Sequence, residues 1–202
     1  MRTDIGGWQV RLDPALRQRH LAEGAWLDRT VAQEAAALAE REPERVTHVA
    51  QGREYRAGEL YTQARALAAA LSGRGMVAGD VVSFQLPNWP EAIVVDLACA
   101  ILGLVVNPIV PIYRDAEVAH TLADCRARAI FVPEAFRGFE HAAMIRRLAP
   151  KLPELRLIAT VRAARPDDDS FEALVGSEDR EQGPARVDPD AVKLIMYTSG
   201  TT

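Results

Sequence analysis

The apolar positions change period several times along the chain, and each change marks an element. Val31, Ala35 and Leu38 recur at helical spacing, Thr30 and Gln33 stand three apart as a capping box does, and Pro43 closes the run. Residues 46–50 and 53–55 read as a hairpin around Gln51 and Gly52. Residues 58–72 place Leu60, Ala64, Leu67, Ala68 and Leu71 on one helical stripe. Ahead of these, residues 1–28 show no period. They are expected to form an irregular arm, with Trp8 and Trp26 as its apolar anchors.

From Val81 the pattern becomes a regular alternation of strand and helix. Residues 81–86 predict a strand. Asn88 is the expected cap of the next helix, with Pro90 in its first turn and Glu91 three residues past the cap. That helix runs to Leu102 and is apolar nearly all round, so both sides should be covered, with Ile93, Leu97 and Ile101 facing the strands. A strand at 104–109, a helix capped by Asp115 and reaching Cys125, and a strand at 129–132 follow. A helix at 141–149 and a strand at 155–161 complete the series. Such alternation implies an α/β fold with a mostly parallel sheet and flanking helices. The expected division is an arm over 1–28 and one incomplete α/β domain over 29–202.

Residues 167–190 are acidic and rich in turn formers, with an apolar island at 171–175. They lead to Val192, Leu194, Ile195, Met196 and Tyr197, a short apolar run with the composition of a central strand buried on both faces. Gly73, Gly75 and Ala78 have GxGxxA spacing, but they follow a helix and precede a strand. A dinucleotide fingerprint needs the opposite order, so this is a helix stop and a turn.

Composition narrows the function classes. Among 202 residues, 49% are hydrophobic and 26% charged, which is ordinary for a globular chain. A formal net charge of −4 gives no electrostatic reason to expect nucleic acid or anionic membrane as partner. The apolar stretch 92–106 is too short to span a bilayer, which needs roughly 20 residues, and it carries Asp96. Cys99 and Cys125 sit inside apolar patterns and read as buried free thiols, while the four histidines form no ligand pair, so no metal site is expected. The first residues lack a signal-peptide pattern, and the expected location is cytoplasmic.

The candidate chemistry lies at the end of the apolar run. Thr198, Ser199, Gly200, Thr201 and Thr202 offer four hydroxyls around one glycine and no bulky side chain. Hydroxyls and open backbone N–H groups suit phosphate oxygens. A Walker loop would need a lysine after its second glycine, and a nucleophile elbow would need glycines where Tyr197 and Thr201 stand. An ordinary Ser/Thr/Gly turn is the competing reading. In open α/β sheets ligands bind beyond the carboxyl ends of strands, where this loop would lie.

The string YTSGTT resembles the opening of the phosphate loop of adenylate-forming enzymes, the acyl-CoA synthetases and their relatives. The stretches YRAGELYTQARALAAALSGRG and GDVVSFQLPNWPEAIVVDLACAILGLVVNPIVPIYR extend the resemblance to the N-terminal part of acyl-CoA synthetases, from about Trp26 to Thr202. Residues 86–114 and FRGFEHAAMIRRLAPKLPEL are most similar to the branch of cyclohexanecarboxylate, medium-chain and aryl-acid CoA ligases.

The resemblance implies a two-step ligase using ATP, Mg²⁺, CoA and a small carboxylic acid, in which Thr198, Ser199, Gly200, Thr201 and Thr202 grip the β- and γ-phosphates. The family's loop lysine, its adenine, ribose and Mg²⁺ motifs, most of the acyl pocket and the catalytic lysine have no counterpart here. The catalytic residues are therefore unassigned. The 202 residues alone are expected to be inactive and to self-associate or form a homo-oligomer. The alternative is a stand-alone nucleotide-binding or structural α/β module without catalysis.

Overall fold

The computed structural model describes residues 1–176 and 183–198. In chain order the strands and helices are β1 (Arg2–Thr3), β2 (Gln9–Val10), α1 (Pro14–Ala22), α2 (Val31–Arg41), β3 (Val46–Ala50), β4 (Arg53–Arg56) and α3 (Ala57–Gly73). Then come β5 (Val81–Phe84), α4 (Pro90–Leu102), β6 (Val105–Pro108), α5 (Asp115–Asp124), β7 (Ala129–Pro133), α6 (His141–Leu148), β8 (Leu157–Val161) and α7 (Phe171–Gly176).

Local chemistry explains most of the boundaries. The Thr30 hydroxyl accepts from Gln33 N at 3.2 Å and Gln33 Oε1 accepts from Thr30 N at 2.8 Å, the reciprocal capping box that starts α2. The β3–β4 hairpin turns through Gln51 (φ 53°) and Gly52 (φ 77°), the pair of positive φ values that a twisted two-residue turn demands. Helix α4 stops at Gly103 (φ 72°), where a Cβ would meet the Val187 side chain at 2.4 Å.

Strands β6, β5, β7 and β8 pair in that order, all parallel. One face carries Val82, Val106, Ala129, Phe131, Ala159 and Val161 against α3, α4 and α7. The other carries Val81, Val105, Ile130 and Val132 into a second cluster with Val118 and Leu122 of α5 and Met144 and Ile145 of α6. Burial on both faces is why these strands read as continuous apolar runs. The stripe Leu60, Ala64, Leu67, Ala68 and Leu71 of α3 is buried throughout, as its period predicts.

Several expectations need correction. The arm is not irregular: β1 pairs antiparallel with β2, and Asp13 caps α1 by accepting from Ala15 N and Leu16 N, with Pro14 at the first helical position. Trp8 packs on the α5–α6 cluster, but Trp26 is 42% exposed and sits with its ring tilted beside His20. In α2, Ala32 is buried and Val31 is exposed. Asn88 does not cap α4; Trp89 takes that position without a side-chain bond. Asp115 lies inside the first turn of α5, where its carboxylate accepts from Arg147 at 2.6 Å. On α4 the buried positions are Pro90, Val94, Val95, Ala98, Cys99, Ile101 and Leu102, while Ile93 and Leu97 are half-buried. Among the described residues no helix is long and apolar enough to cross a membrane.

Candidate functional site

The site is built on the free edge of β6. Val106 N–H donates to Lys193 O at 2.8 Å, and Ile195 N–H donates back to Val106 O at 2.9 Å. This single parallel bridge, Val106 to Leu194, is all the strand character that residues 192–198 possess. The expected central strand is therefore absent. Leu194 is 44% and Met196 67% exposed, because β6 lies on one side of the segment and no described residue forms a further strand on the other.

Polar side chains supply what the ladder does not. Asn107, fully buried in β6, donates from Nδ2 to Ile195 O at 3.0 Å and accepts the Ser83 hydroxyl at 3.0 Å. Lys193 Nζ lies 2.5 Å from Asp96 of α4. The Tyr197 hydroxyl donates to Asp124 of α5 at 2.5 Å, and its ring meets His120 edge-on. Burial, with that carboxylate beside it, pushes the Tyr197 phenol above its ordinary range. Asp4 of the arm accepts from Val192 N at 2.8 Å. Because the bridge is parallel, residues after Ile195 run toward the carboxyl end of the sheet.

At that end the loop after β6 is held by its carbonyl groups. Gln85 Nε2 donates to Val110 O and Tyr113 O at 3.1 and 3.0 Å, and Arg114 Nη1 donates to Pro111 O and Tyr113 O at 2.9 and 2.8 Å. An aromatic rim borders the loop: Trp89 meets Phe136 edge-on at 5.7 Å and Phe139 meets His141 at 4.9 Å. Arg162 stacks over Trp89 and Arg114 over Phe139, each at 4.0 Å.

Of the sequence-predicted site residues, Thr198 is placed, exposed, just beyond Tyr197. Ser199, Gly200, Thr201 and Thr202 lie outside the described residues. The residues that position the segment were not singled out from the sequence. Asn107 and Gln85 carry a legible signal, since each is a polar residue inside an otherwise apolar strand pattern. Among the described residues no three acidic, histidine or cysteine side chains are grouped to hold a metal ion. Cys99 and Cys125 are buried, and burial pushes both thiols up, which removes them from nucleophilic roles.

The family described as AMP-binding enzyme matches residues 34–202. The chain is 29% identical to the medium-chain fatty-acid–CoA ligase of Escherichia coli, over 92% of this chain and 33% of that protein. It is 31% identical to the 2-hydroxy-7-methoxy-5-methyl-1-naphthoate–CoA ligase of Streptomyces carzinostaticus, over 91% of this chain and 35% of that protein. Among solved structures, apo MbtA of Mycobacterium smegmatis superposes with a TM-score of 0.81 at 25% identity, covering 95% of this chain and 36% of that one. The chain thus spans about a third of the length of these relatives.

Proposed function

Since the chain belongs to the AMP-binding enzyme family, we propose that it is the phosphate-loop-bearing part of an ATP-dependent carboxylic acid:CoA ligase. The observation that carries this reading is the tethered segment 192–198, which runs toward the carboxyl end of a parallel sheet and is followed in sequence by the hydroxyl-rich string Ser199, Gly200, Thr201 and Thr202. Parallel α/β sheets bind ligands at that end.

In the proposed reaction a carboxylate oxygen attacks the α-phosphorus of ATP, the bond to the bridging oxygen breaks, and pyrophosphate leaves. The CoA sulfur then attacks the acyl carbon of the adenylate, AMP departs with the acyl C–O bond pair, and the thiol proton passes to solvent. Two anions must meet in the first step, so the protein's task is to spread charge off the triphosphate. Hydroxyl and backbone donors of residues 198–202 serve that task. A hydrogen bond to a charged oxygen contributes about 1.5–3 kcal/mol. Mg²⁺, which the resemblance implies, meets no group of three acidic, histidine or cysteine side chains among the described residues, and no step is assigned to it. The acid is proposed to be a medium-chain or aromatic carboxylic acid, as the names of the two ligase relatives suggest.

Carboxylate-dependent exchange of labelled pyrophosphate into ATP tests the proposal. The protein that carries this chain should exchange with octanoate or with a substituted benzoate or naphthoate, and should release AMP when CoA is added. The 202 residues by themselves should give no exchange. ATP binding without exchange for any acid would replace the ligase reading with a nucleotide-binding module.

A further inference from the structure

The family match begins at residue 34, yet residues far ahead of it reach the functional segment. The Asp4 carboxylate divides its two oxygens. Oδ1 accepts from Gly6 N and Trp8 N, fixing the turn of the arm, and Oδ2 accepts from Val192 N at 2.8 Å. Arg2 donates to Asp188 at 2.7 Å and also faces Asp190. The Arg2 hydrogen bond holds the Asp188 carboxyl below its ordinary range. Arg17 of α1 reaches Asp190 at 2.5 Å with Nε and Asp28 with Nη2. The arm is itself seated on the sheet: Gly6 packs so closely on Gly79 that a Cβ at Gly79 would lie 2.4 Å from Gly6 Cα. Trp8 joins the cluster under β5 and β6.

We propose that the N-terminal arm is a positioning clamp for the phosphate-loop segment, in which Asp4, Arg2 and Arg17 fix residues 188–192 and thereby hold residues 193–198 against β6. Only one backbone bridge joins that segment to the sheet, so its placement depends on side-chain contacts, and those at its entry point come from the arm. Asp4 and Val192 form the direct link, and the two arginines align the turn that precedes it. The functional consequence rests on the reading of residues 198–202 as a phosphate loop; the clamp itself does not.

Amide hydrogen exchange in the 202-residue chain, without nucleotide, tests the clamp independently of any activity. Val106 N–H and Ile195 N–H form the bridge, while Gln85 N–H and Arg128 N–H bond between β5 and β7 and serve as the internal reference. In Asp4→Ala, exchange at Val106 and Ile195 should accelerate at least tenfold with the reference amides unchanged. The Arg2→Gln/Arg17→Gln variant alters only part-exposed side chains and should act in the same direction, and it decides the matter where Asp4→Ala does not fold. Raising salt should accelerate the same two amides in the parent chain, because it screens part-exposed pairs. Arg17→Lys in the Arg2-containing chain should restore slow exchange relative to Arg17→Gln. Unchanged exchange at Val106 and Ile195, or equal acceleration at the reference amides, would overturn the clamp.

Discussion

Two apolar runs of similar composition meet different fates in this molecule. AIFVP becomes β7, paired on both edges by β5 and β8 and buried at every position. VKLIMY, residues 192–197, touches the sheet at one bridge and leaves Leu194 and Met196 in solvent. Hydrophobicity alone therefore does not make a central strand. The number of neighbouring strands does, and among the described residues only β6 borders residues 192–197. What replaces the missing ladder is a set of polar contacts from Asp4, Asp96, Asn107 and Asp124, drawn from four separate parts of the chain. Part-exposed polar contacts are individually weak, so the segment is held by their combination.

Truncating each run in turn sharpens the contrast most. Phe131→Ala in β7 removes a fully buried ring and should destabilise the chain by about 3–5 kcal/mol in urea unfolding. Met196→Ala should change stability by no more than about 0.5 kcal/mol. Comparable losses in the two variants would mean that the segment is as integral to the core as β7.

Asn107 is where the two regions join. Asn107→Ala strips a partner from the Ser83 hydroxyl and from the Ile195 carbonyl. Leaving a buried polar group unsatisfied costs about 1–3 kcal/mol, and the loss should come with faster exchange at Ile195 N–H. A variant as stable as the parent, with Ile195 still protected, would show that the backbone bridge suffices without the side chain.

The sheet was legible in the sequence because both its faces are buried, which turns each strand into an apolar run bounded by turn residues. Helix α4 was legible down to Pro90 and Leu102 through proline at its start and Gly103 past its end. Its burial was legible only in part: of the expected face Ile93, Leu97 and Ile101, Ile101 is fully buried and the other two are half-buried. The arm escaped because two-residue strands carry no period, and the ribbon depends on a long-range seat at Gly79. At the site, composition gave Thr198 and its neighbours chemistry. The side chains that hold residues 192–197 are scattered from Asp4 to Asp124, and one-dimensional spacing does not encode that convergence.

Alkaline pH provides a smaller, local probe. Tyr197 has a folded-state pKa raised above its unfolded value near 10, so its contribution is complete below pH 10. Above that pH the unfolded or detached phenol ionises first, and the contribution is lost as pH rises through the folded pKa. The ring NMR signals of Tyr197 should report detachment of the segment above about pH 10 while β5 to β8 stay intact. Tyr197→Phe should cost about 1 kcal/mol and abolish this pH dependence. The same alkaline transition in Tyr197→Phe would assign it to another group.

The claim that residues 192–198 exist to present a phosphate-binding loop meets its most direct test in Thr201→Ala/Thr202→Ala, made in the protein that carries this chain. Carboxylate-dependent ATP–pyrophosphate exchange is the quantity to measure, with Met196→Ala as the control on the same segment. Losing two hydrogen bonds to charged phosphate oxygens, at about 1.5–3 kcal/mol each, should lower the exchange rate at limiting ATP by at least about 100-fold. The control should exchange like the parent. Parent-like exchange in the double variant would contradict the account and take the hydroxyl string out of ATP handling.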